Sequence, residues 1–155
     1  MRSFAGWLER LLLVAAAALL AGCAAPMGAV VESLPPVKEQ EIVFYRPKDG
    51  GGLYFAAVID GSTVSTSVKA GSVQVFQVQS GSHVVTLKET PAWTGSAVVT
   101  ANQLRVDVPA GQRRFVRVDL ARATIRTYTG NWTFRLHEVP EQEAMQEMRG
   151  LRFAF

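Results

Sequence analysis

Short apolar runs separated by turn residues occupy the middle of the chain. Over residues 58–87 the turns fall at Asp60-Gly61, Ala70-Gly71 and Ser80-Gly81. An Asp-Gly pair between alternating apolar residues is a strong hairpin signal, and glycine adopts the positive φ of a tight turn at no steric cost. The pattern predicts an antiparallel meander to which the other strands are added. Its later strands are predicted over 63–68, 73–78 and 84–88.

Two apolar runs precede the meander, and one short run follows it. EIVFYR over 41–46 is rich in β-branched and aromatic residues and ends at Pro47, which predicts the first strand. LYFAAVI over 53–59 is apolar on both faces, which is typical of a strand that is covered on both sides or central in its sheet. A short edge strand is expected over 97–100.

Regular alternation over 104–108 and 112–120 predicts a further hairpin. Pro109-Ala110-Gly111 between the two runs suits a type I turn closed by a left-handed glycine. In that register Asp107 lies opposite Arg113, and an opposite-charge pair across two strands favours the alignment.

A second hairpin is predicted from strands over 124–129 and 132–137, joined through Gly130-Asn131. This register sets Arg126 opposite Arg135, and like charges directly opposite each other are unfavourable. A longer loop would relieve that repulsion.

The residues PEQEAMQEMR at about 140–149 predict a short helix. Proline suits the first helical turn, Glu141 and Glu143 favour the positive end of the helix dipole, and Gly150 follows the last turn. Leu151, Phe153 and Phe155 then alternate, which indicates a last β segment. The chain is therefore predicted to be mainly β, a compact antiparallel β-sandwich of about seven or eight strands with a short C-terminal helix.

The first 22 residues have the pattern of a secretory signal peptide. Arg2 and Arg10 flank a mostly apolar start, LLLVAAAALL follows over 11–20, and small residues lead to Cys23. The alternative is an uncleaved membrane helix from residue 11 to about residue 31, although Pro26 interrupts it and the span is barely long enough.

The residues Leu20-Ala21-Gly22-Cys23 resemble a bacterial lipobox. The resemblance implies cleavage before Cys23, which then carries a diacylglyceryl thioether and an N-acyl chain that anchor the protein in a membrane. Cys23 is the single cysteine of the chain, so it has no partner for an internal disulfide. Ala24 and Ala25 follow it without an aspartate, which implies the periplasmic face of the outer membrane if the source is Gram-negative.

The organisation expected from these observations has three parts. Residues 1–22 form the signal peptide, 23–40 a lipidated flexible tether with scattered prolines, and 41–155 the β-sandwich domain with its helix. Four turn and strand motifs of this domain resemble the bacterial domain-of-unknown-function family 2846 and the PEGA-type small surface domains. They are VFYRP over 43–47, VIDG over 58–61, GSH over 81–83 and FVRV over 115–118. The resemblance implies an exported or lipid-anchored sandwich of the transthyretin-like or Ig-like kind, and it brings no catalytic or metal residues.

The sequence carries little that indicates catalysis. His83, at the start of a strand, is the most tempting site residue, but a structural role suits it better because a ligand or a general base needs partners in register. Two histidines and no free cysteine leave little for zinc, and no G-x-S-x-G elbow is present. We therefore expect no cofactor, no metal site and no enzymatic activity; a hydrolase of envelope polymer is the weakest alternative.

Arginines are frequent between residues 105 and 135. If the hairpin register above holds, Arg105, Arg113, Phe115 and Arg117 share one exposed patch. The patch would suit an acidic partner such as an anionic lipid, a glycan or an envelope protein; the alternative is an ordinary solvated sheet face. The net charge of +3, without a block of like charges, argues against nucleic acid as a partner.

The expected function is a non-catalytic binding or scaffolding module of the cell envelope, anchored in the membrane through Cys23. The main alternative is a structural accessory subunit that extends a partner's sheet through an exposed edge strand or through the C-terminal residues 151–155. The sequence leaves the oligomeric state open.

Overall fold

The computed structural model describes residues 28–49, 54–90, 98–126 and 129–154. Their strands form two packed sheets, and one short helix lies on the outer face of the larger sheet. The prediction of a mainly β sandwich with a short C-terminal helix is confirmed, with ten strands among the described residues where seven or eight were expected. The predicted signal peptide, Cys23 and the strand residues 53, 97 and 155 lie outside the described residues.

The elements follow the predicted apolar runs closely. The ten strands are β1 (Gln40–Arg46), β2 (Phe55–Ile59), β3 (Ser62–Val68), β4 (Ser72–Val78), β5 (Gly81–Glu89), β6 (Val98–Ala101), β7 (Leu104–Val108), β8 (Arg113–Arg126), β9 (Thr129–Val139) and β10 (Arg152–Phe153), and the helix is α1 (Glu141–Met148). Sheet A has the strand order β10-β4-β1-β8-β9-β6, and sheet B has the order β3-β2-β5-β7. Three pairs in sheet A are parallel: β1 with β8, β4 with β10, and β6 with β9.

Two apolar clusters lie on the two faces of sheet A. The inner cluster fills the space between the sheets and includes Phe44, Phe55 and Phe134. The outer cluster lies between sheet A, α1 and the segment that precedes β1, and it includes Tyr45, Phe115 and Met148. Because both of its faces are covered, β1 is buried from Glu41 to Arg46, which explains its unbroken apolar sequence.

The predicted meander is correct only at its first turn. Asp60 and Gly61 both have positive φ, 50° and 79°, and join β2 to β3 as a hairpin. The Ala70-Gly71 and Ser80-Gly81 turns instead carry the chain from one sheet to the other, since β4 pairs with β1 and β5 pairs with β2. A glycine turn reverses the backbone whether or not the next strand stays in the same sheet.

The predicted hairpin over 104–120 is wrong for the same reason. The Pro109–Gln112 turn forms, with Gln112 N–H donating to the Pro109 carbonyl at 3.1 Å. However, β7 pairs with β5 in sheet B, whereas β8 lies between β1 and β9 in sheet A. The predicted pair of Asp107 with Arg113 is therefore absent.

The second predicted hairpin is confirmed with a different register. β8 and β9 pair over their whole length, and their last pair is Arg126 with Thr129, so the strands turn before Gly130-Asn131. Arg135 then lies opposite Asp119 rather than Arg126, so the expected repulsion between two arginines does not arise. The register shifts between Leu120 and Arg122, a bulge in the middle of β8.

Part of the predicted tether is a structural part of the domain. The backbone N–H of Val31 donates to the Leu151 carbonyl at 2.8 Å, and Val30 pairs with Arg152 in an antiparallel bridge. Val31 is only 1 % exposed and packs in the outer cluster. Residues 28–31 of the predicted tether therefore lie against the edge of sheet A at β10.

Candidate functional site

The four residues predicted to share an exposed patch lie in different surroundings. Arg105 is exposed on β7 in sheet B, whereas Arg113, Phe115 and Arg117 lie on β8 in sheet A. Phe115 is 2 % exposed and belongs to the outer cluster beneath α1. The prediction of a common exposed face is wrong, because it depended on pairing β7 with β8.

Arg113 is held in a buried ion pair with Glu41. The two side chains are 6 % and 4 % exposed, and Arg113 Nε donates to Glu41 Oε2 at 2.6 Å. Gln77 Nε2 donates to the other carboxylate oxygen at 2.9 Å, and Arg113 Nη2 donates to the Pro35 carbonyl at 2.8 Å. The guanidinium therefore fastens the segment before β1 to sheet A and is not available to an external anion.

Arg117 is the centre of a polar network at the margin of α1. Its Nη1 forms an ion pair with Glu147 of the helix, and its Nε donates to Asp119 Oδ1 at 2.8 Å. Tyr45, directly beside Arg117 in the sheet, donates its hydroxyl to Glu147 Oε2 at 2.6 Å. Burial, together with the hydrogen bond to Glu147, raises the pKa of Tyr45 well above its ordinary value. Each charged group in the network has an opposite charge beside it, which favours a structural role.

His83 joins two turns of the sandwich. Its Nδ1 lies 2.7 Å from Asp60 Oδ2 and its Nε2 lies 2.8 Å from the Gln79 carbonyl, so an acceptor faces each ring nitrogen. The hydrogen bond to Asp60 raises the pKa of His83, and the same bond lowers the pKa of the Asp60 carboxyl. With both nitrogens engaged, neither is free to act as a base.

Arg46 is a buried cation at the end of β1. Its side chain is fully buried, and Nε and Nη2 donate to the two carboxylate oxygens of Asp49 at 2.8 and 2.9 Å. The guanidinium carbon lies 5.0 Å from the ring centre of Phe55 and 5.1 Å from that of Phe134. The guanidinium thus packs against aromatic rings of the inner cluster while its charge is matched by Asp49. From the sequence, Arg46 was predicted only to be part of a strand.

The outer face of sheet A beyond α1 is polar and uncovered. On β9, Phe134 and Leu136 point into the inner cluster, so Thr133 and Arg135 between them point outward. Arg122 pairs with Thr133 across β8 and β9, and the Thr100 hydroxyl donates to Thr133 Oγ1 at 3.2 Å from β6. All four side chains are exposed. We call these four residues the β8–β9 face.

The β8–β9 face offers hydrogen-bond donors of two kinds. Thr100, Thr133 and Arg135 line a shallow cavity of about 450 Å³ beside the β8 bulge. Within the part of the chain that the structure describes, the guanidinium groups of Arg122 and Arg135 form no ion pair. Diagonal neighbours on adjacent strands are about 7–8 Å apart, so both guanidinium groups can reach one carboxylate or phosphate group.

A second cavity, of about 540 Å³, lies where the segment before β1 meets the start of α1. Its lining includes Val37, Arg114, Glu138 and Glu141. Arg114 lies 3.5 Å from Glu138 and donates to the Asp107 carbonyl at 2.9 Å, so its charge is already partnered. The mixture of charges in the lining indicates no particular ligand.

Among the described residues, no group of three or more His, Cys, Asp and Glu side chains is placed to hold a metal ion. No helix in the described ranges is long and apolar enough to cross a membrane. Cys23, the predicted lipidation site, lies outside those ranges.

Comparison with models of known protein families, with curated protein sequences and with solved structures returns no match to this chain. The resemblance to domain-of-unknown-function family 2846 and to the lipobox therefore remains a prediction. Arg122, Arg135 and the two threonines were not singled out as a site from the sequence. The alternation of Phe134 and Leu136 with outward residues was the available signal, but only the three-strand pairing shows that these positions meet.

Proposed function

We propose that the protein is a non-catalytic, lipid-anchored binding module of the bacterial cell envelope. In this proposal Cys23 carries the acyl anchor at the periplasmic face of the outer membrane, and the β8–β9 face binds an anionic group of an envelope component. The ligand chemistry is that of a carboxylate or phosphate, as found on glycan polymers and on lipids.

The observation that carries the proposal is the contrast between the β8–β9 face and the buried or networked charges elsewhere. Arg46, Arg113 and Arg117 are each matched by a carboxylate inside the fold. Arg122 and Arg135 are instead diagonal neighbours on an exposed surface, with hydroxyl groups next to them. Asp119, which lies opposite Arg135, is bound by Arg117. Two forked guanidinium groups at this spacing recognise an oxyanion better than an isolated surface lysine does.

The lipid anchor is supported by sequence alone. An apolar stretch of ten residues over 11–20 leads to Leu20-Ala21-Gly22-Cys23, the pattern of a lipoprotein signal. Acyl mass on the mature protein, lost in Cys23→Ser, would support the anchor; residues 1–22 retained without lipid would overturn it.

Binding at the β8–β9 face is tested with purified protein and two probes, insoluble peptidoglycan sacculi and vesicles that contain an anionic phospholipid. The variant is Arg122→Glu/Arg135→Glu. The matched control is Arg105→Glu/Arg149→Glu, which makes the same change of charge at two exposed arginines elsewhere. We expect at least about tenfold weaker binding in the first variant, equivalent to about 1.4 kcal/mol, with little change in the control.

Which probe loses binding distinguishes a glycan from a lipid source of the anion. Equal losses in the two double variants would show that only net charge matters, and the β8–β9 face would then not be the site. No binding of either probe by the unmodified protein would overturn the proposed ligand class.

The alternative in which the C-terminal residues 151–155 extend the sheet of a partner protein is not supported by the fold. Leu151 and Phe153 are 5 % and 7 % exposed, and β10 is paired with β4 on one side and with Val30 on the other. Residues already paired on both sides cannot add a strand to another sheet.

A further inference from the structure

We infer that the β10 edge of sheet A faces the membrane: the docked segment 28–31 holds the domain close to the bilayer, and Lys48, Lys69 and Arg152 at that edge bind anionic lipid headgroups. The inference rests on the proposed lipidation of Cys23. It adds an orientation and a second contact surface, distinct from the β8–β9 face.

The first observation is the length of chain left between the anchor and the domain. Gly28 N–H donates to the Phe153 carbonyl at 3.0 Å, and Phe153 N–H donates to the Ala29 carbonyl at 3.0 Å, so the chain is fixed to the domain from Gly28 onward. Only four residues separate Cys23 from Gly28. Five extended steps reach at most about 17–18 Å, whereas a tether that ended at residue 40 would reach about 60 Å.

The second observation is the charge at the same edge. Arg152 is exposed and lies opposite Val30 of the docked segment, and its backbone N–H donates to the Gly71 carbonyl at 3.0 Å. A Cβ atom at Gly71 would lie 3.1 Å from Cγ of Lys48, so the Lys48 side chain crosses this turn. Lys69, two residues before Gly71, is exposed as well.

These three cations have no carboxylate bound to them. None of Lys48, Lys69 and Arg152 forms an ion pair with another residue in the described ranges. The neighbouring Asp49 is bound by Arg46, and Glu147 is bound by Arg117. Glu32 is the exposed carboxylate of the adjoining segment, which leaves the edge net positive. A lipid surface is favoured as the partner because the acyl chains bring its headgroups within about 18 Å of this edge.

The test uses the full lipidated protein reconstituted into vesicles, after its acyl mass has been confirmed. Because Cys23 is acylated, Gln146→Cys on the exposed side of α1 supplies the one free thiol for a donor dye. Energy transfer is measured to an acceptor dye on the headgroups. A comparison variant carries an insertion of about twelve Gly and Ser residues between Ala25 and Pro26, which lengthens the tether and leaves the domain unchanged.

In neutral vesicles the tether alone sets the height of the domain. We expect the insertion to lower the transfer efficiency by about half or more. Equal transfer in the two proteins would overturn the short tether. A protein without acyl mass would contradict the proposed anchor instead, and the docking of residues 28–31 would then be read from slow amide exchange at Val31 and Phe153.

In anionic vesicles the long-tether protein isolates the contribution of charge. We expect its transfer efficiency to rise toward the wild-type value at low salt and to fall again at high salt. Lys48→Gln/Lys69→Gln/Arg152→Gln should abolish the rise. The control Lys88→Gln/Arg105→Gln/Arg149→Gln, which removes the same charge at three exposed residues outside both proposed surfaces, should leave it intact. An equal loss in both triple variants would overturn the β10 edge as the membrane contact.

Discussion

The hydroxyl of Tyr45 donates a 2.6 Å hydrogen bond to Glu147, a residue 102 positions later in the chain. The bond joins the central strand β1 to the helix that covers it, and Arg117 between them binds the same carboxylate. Tyr45 is buried, so its hydroxyl has no water to replace this partner.

Tyr45→Phe keeps the ring packing and removes the hydrogen bond. We expect the free energy of unfolding to fall by about 1–2 kcal/mol, because the acceptor is charged and stays partly satisfied by Arg117. Urea unfolding measures the change. A loss below a few tenths of a kcal/mol would show that the helix does not depend on this bond.

The raised pKa of Tyr45 also predicts a dependence on alkaline pH. The unfolded chain ionises this phenol near its ordinary value of 10.0, whereas the folded protein keeps it protonated, so the contribution is present below pH 10 and is lost as pH rises above it. Unfolding measured from pH 9 to pH 11 should show a steeper loss of stability in the wild type than in Tyr45→Phe. Parallel curves would contradict the assignment.

The Asp60–His83 pair predicts a stability window at mildly acidic pH. Because the pKa of His83 is raised, this residue contributes stability that is complete below pH 6.5 and is lost as pH rises through the pKa of the folded protein. Because the pKa of Asp60 is lowered, this residue contributes stability that is complete above pH 3.8 and is lost as pH falls through the pKa of the folded protein. The pair should therefore stabilise the domain most between about pH 4 and pH 6.5.

Asp60→Asn tests this window, since asparagine also accepts the positive φ of this turn. We expect the free energy of unfolding to fall by about 0.5–1 kcal/mol near pH 5.5, a modest loss because the pair is partly exposed. The loss should be smaller at pH 8, where the contribution of His83 is reduced. In an NMR titration the His83 pKa should move down toward its ordinary value. An unchanged His83 titration would rule out the hydrogen bond as the cause.

Arg46→Met should be the most destabilising of these substitutions. It leaves Asp49 without its bidentate partner and removes the cation that lies against both Phe55 and Phe134, which we expect to cost about 3–5 kcal/mol. Arg114→Met is the matched control, since its ion pair with Glu138 is partly exposed and should contribute about 1 kcal/mol or less. Similar small losses in both variants would show that burial gives the Arg46 pair no special weight.

Val31→Ala tests whether the segment before β1 is part of the folded domain. Val31 is 1 % exposed, and its truncation should cost about 2 kcal/mol, whereas Val37→Ala, at a residue 38 % exposed, should change stability by less than about 0.5 kcal/mol. Thermal or urea unfolding of the full chain measures both. Equal effects would mean that residues 28–31 do not dock stably.

The position and the facing of most strands could be read from the sequence, but their neighbours could not. Alternation correctly placed Val106 and Val108 on β7, and Val116 and Val118 on β8, toward the core. An inward residue looks the same in either sheet of a sandwich, so the pattern left open whether β7 pairs with β8 or with β5. The prediction of an exposed arginine patch was wrong because it assumed that β7 pairs with β8, whereas β7 pairs with β5.

The docked segment was missed because its signal is not local. Residues 28–31 have no strand or helix period, and Val31 is buried by packing with residues far along the chain, such as Leu151. For the same reason Arg46 was read as a strand residue, since its partners Phe55 and Phe134 lie on β2 and β9. Contacts of this kind depend on tertiary structure and leave no periodic trace.

The pairing of Val30 with Arg152 sets the order in which the protein can be completed. The two residues are 122 positions apart, so at about 5–20 residues per second Val30 leaves the ribosome roughly 6–24 s before its partner does. Until then one edge of sheet A has neither its β10 strand nor its N-terminal cover. Folding of this edge therefore cannot be completed before Arg152 is available, and the apolar residues of the outer cluster beside β10 stay incompletely covered until then.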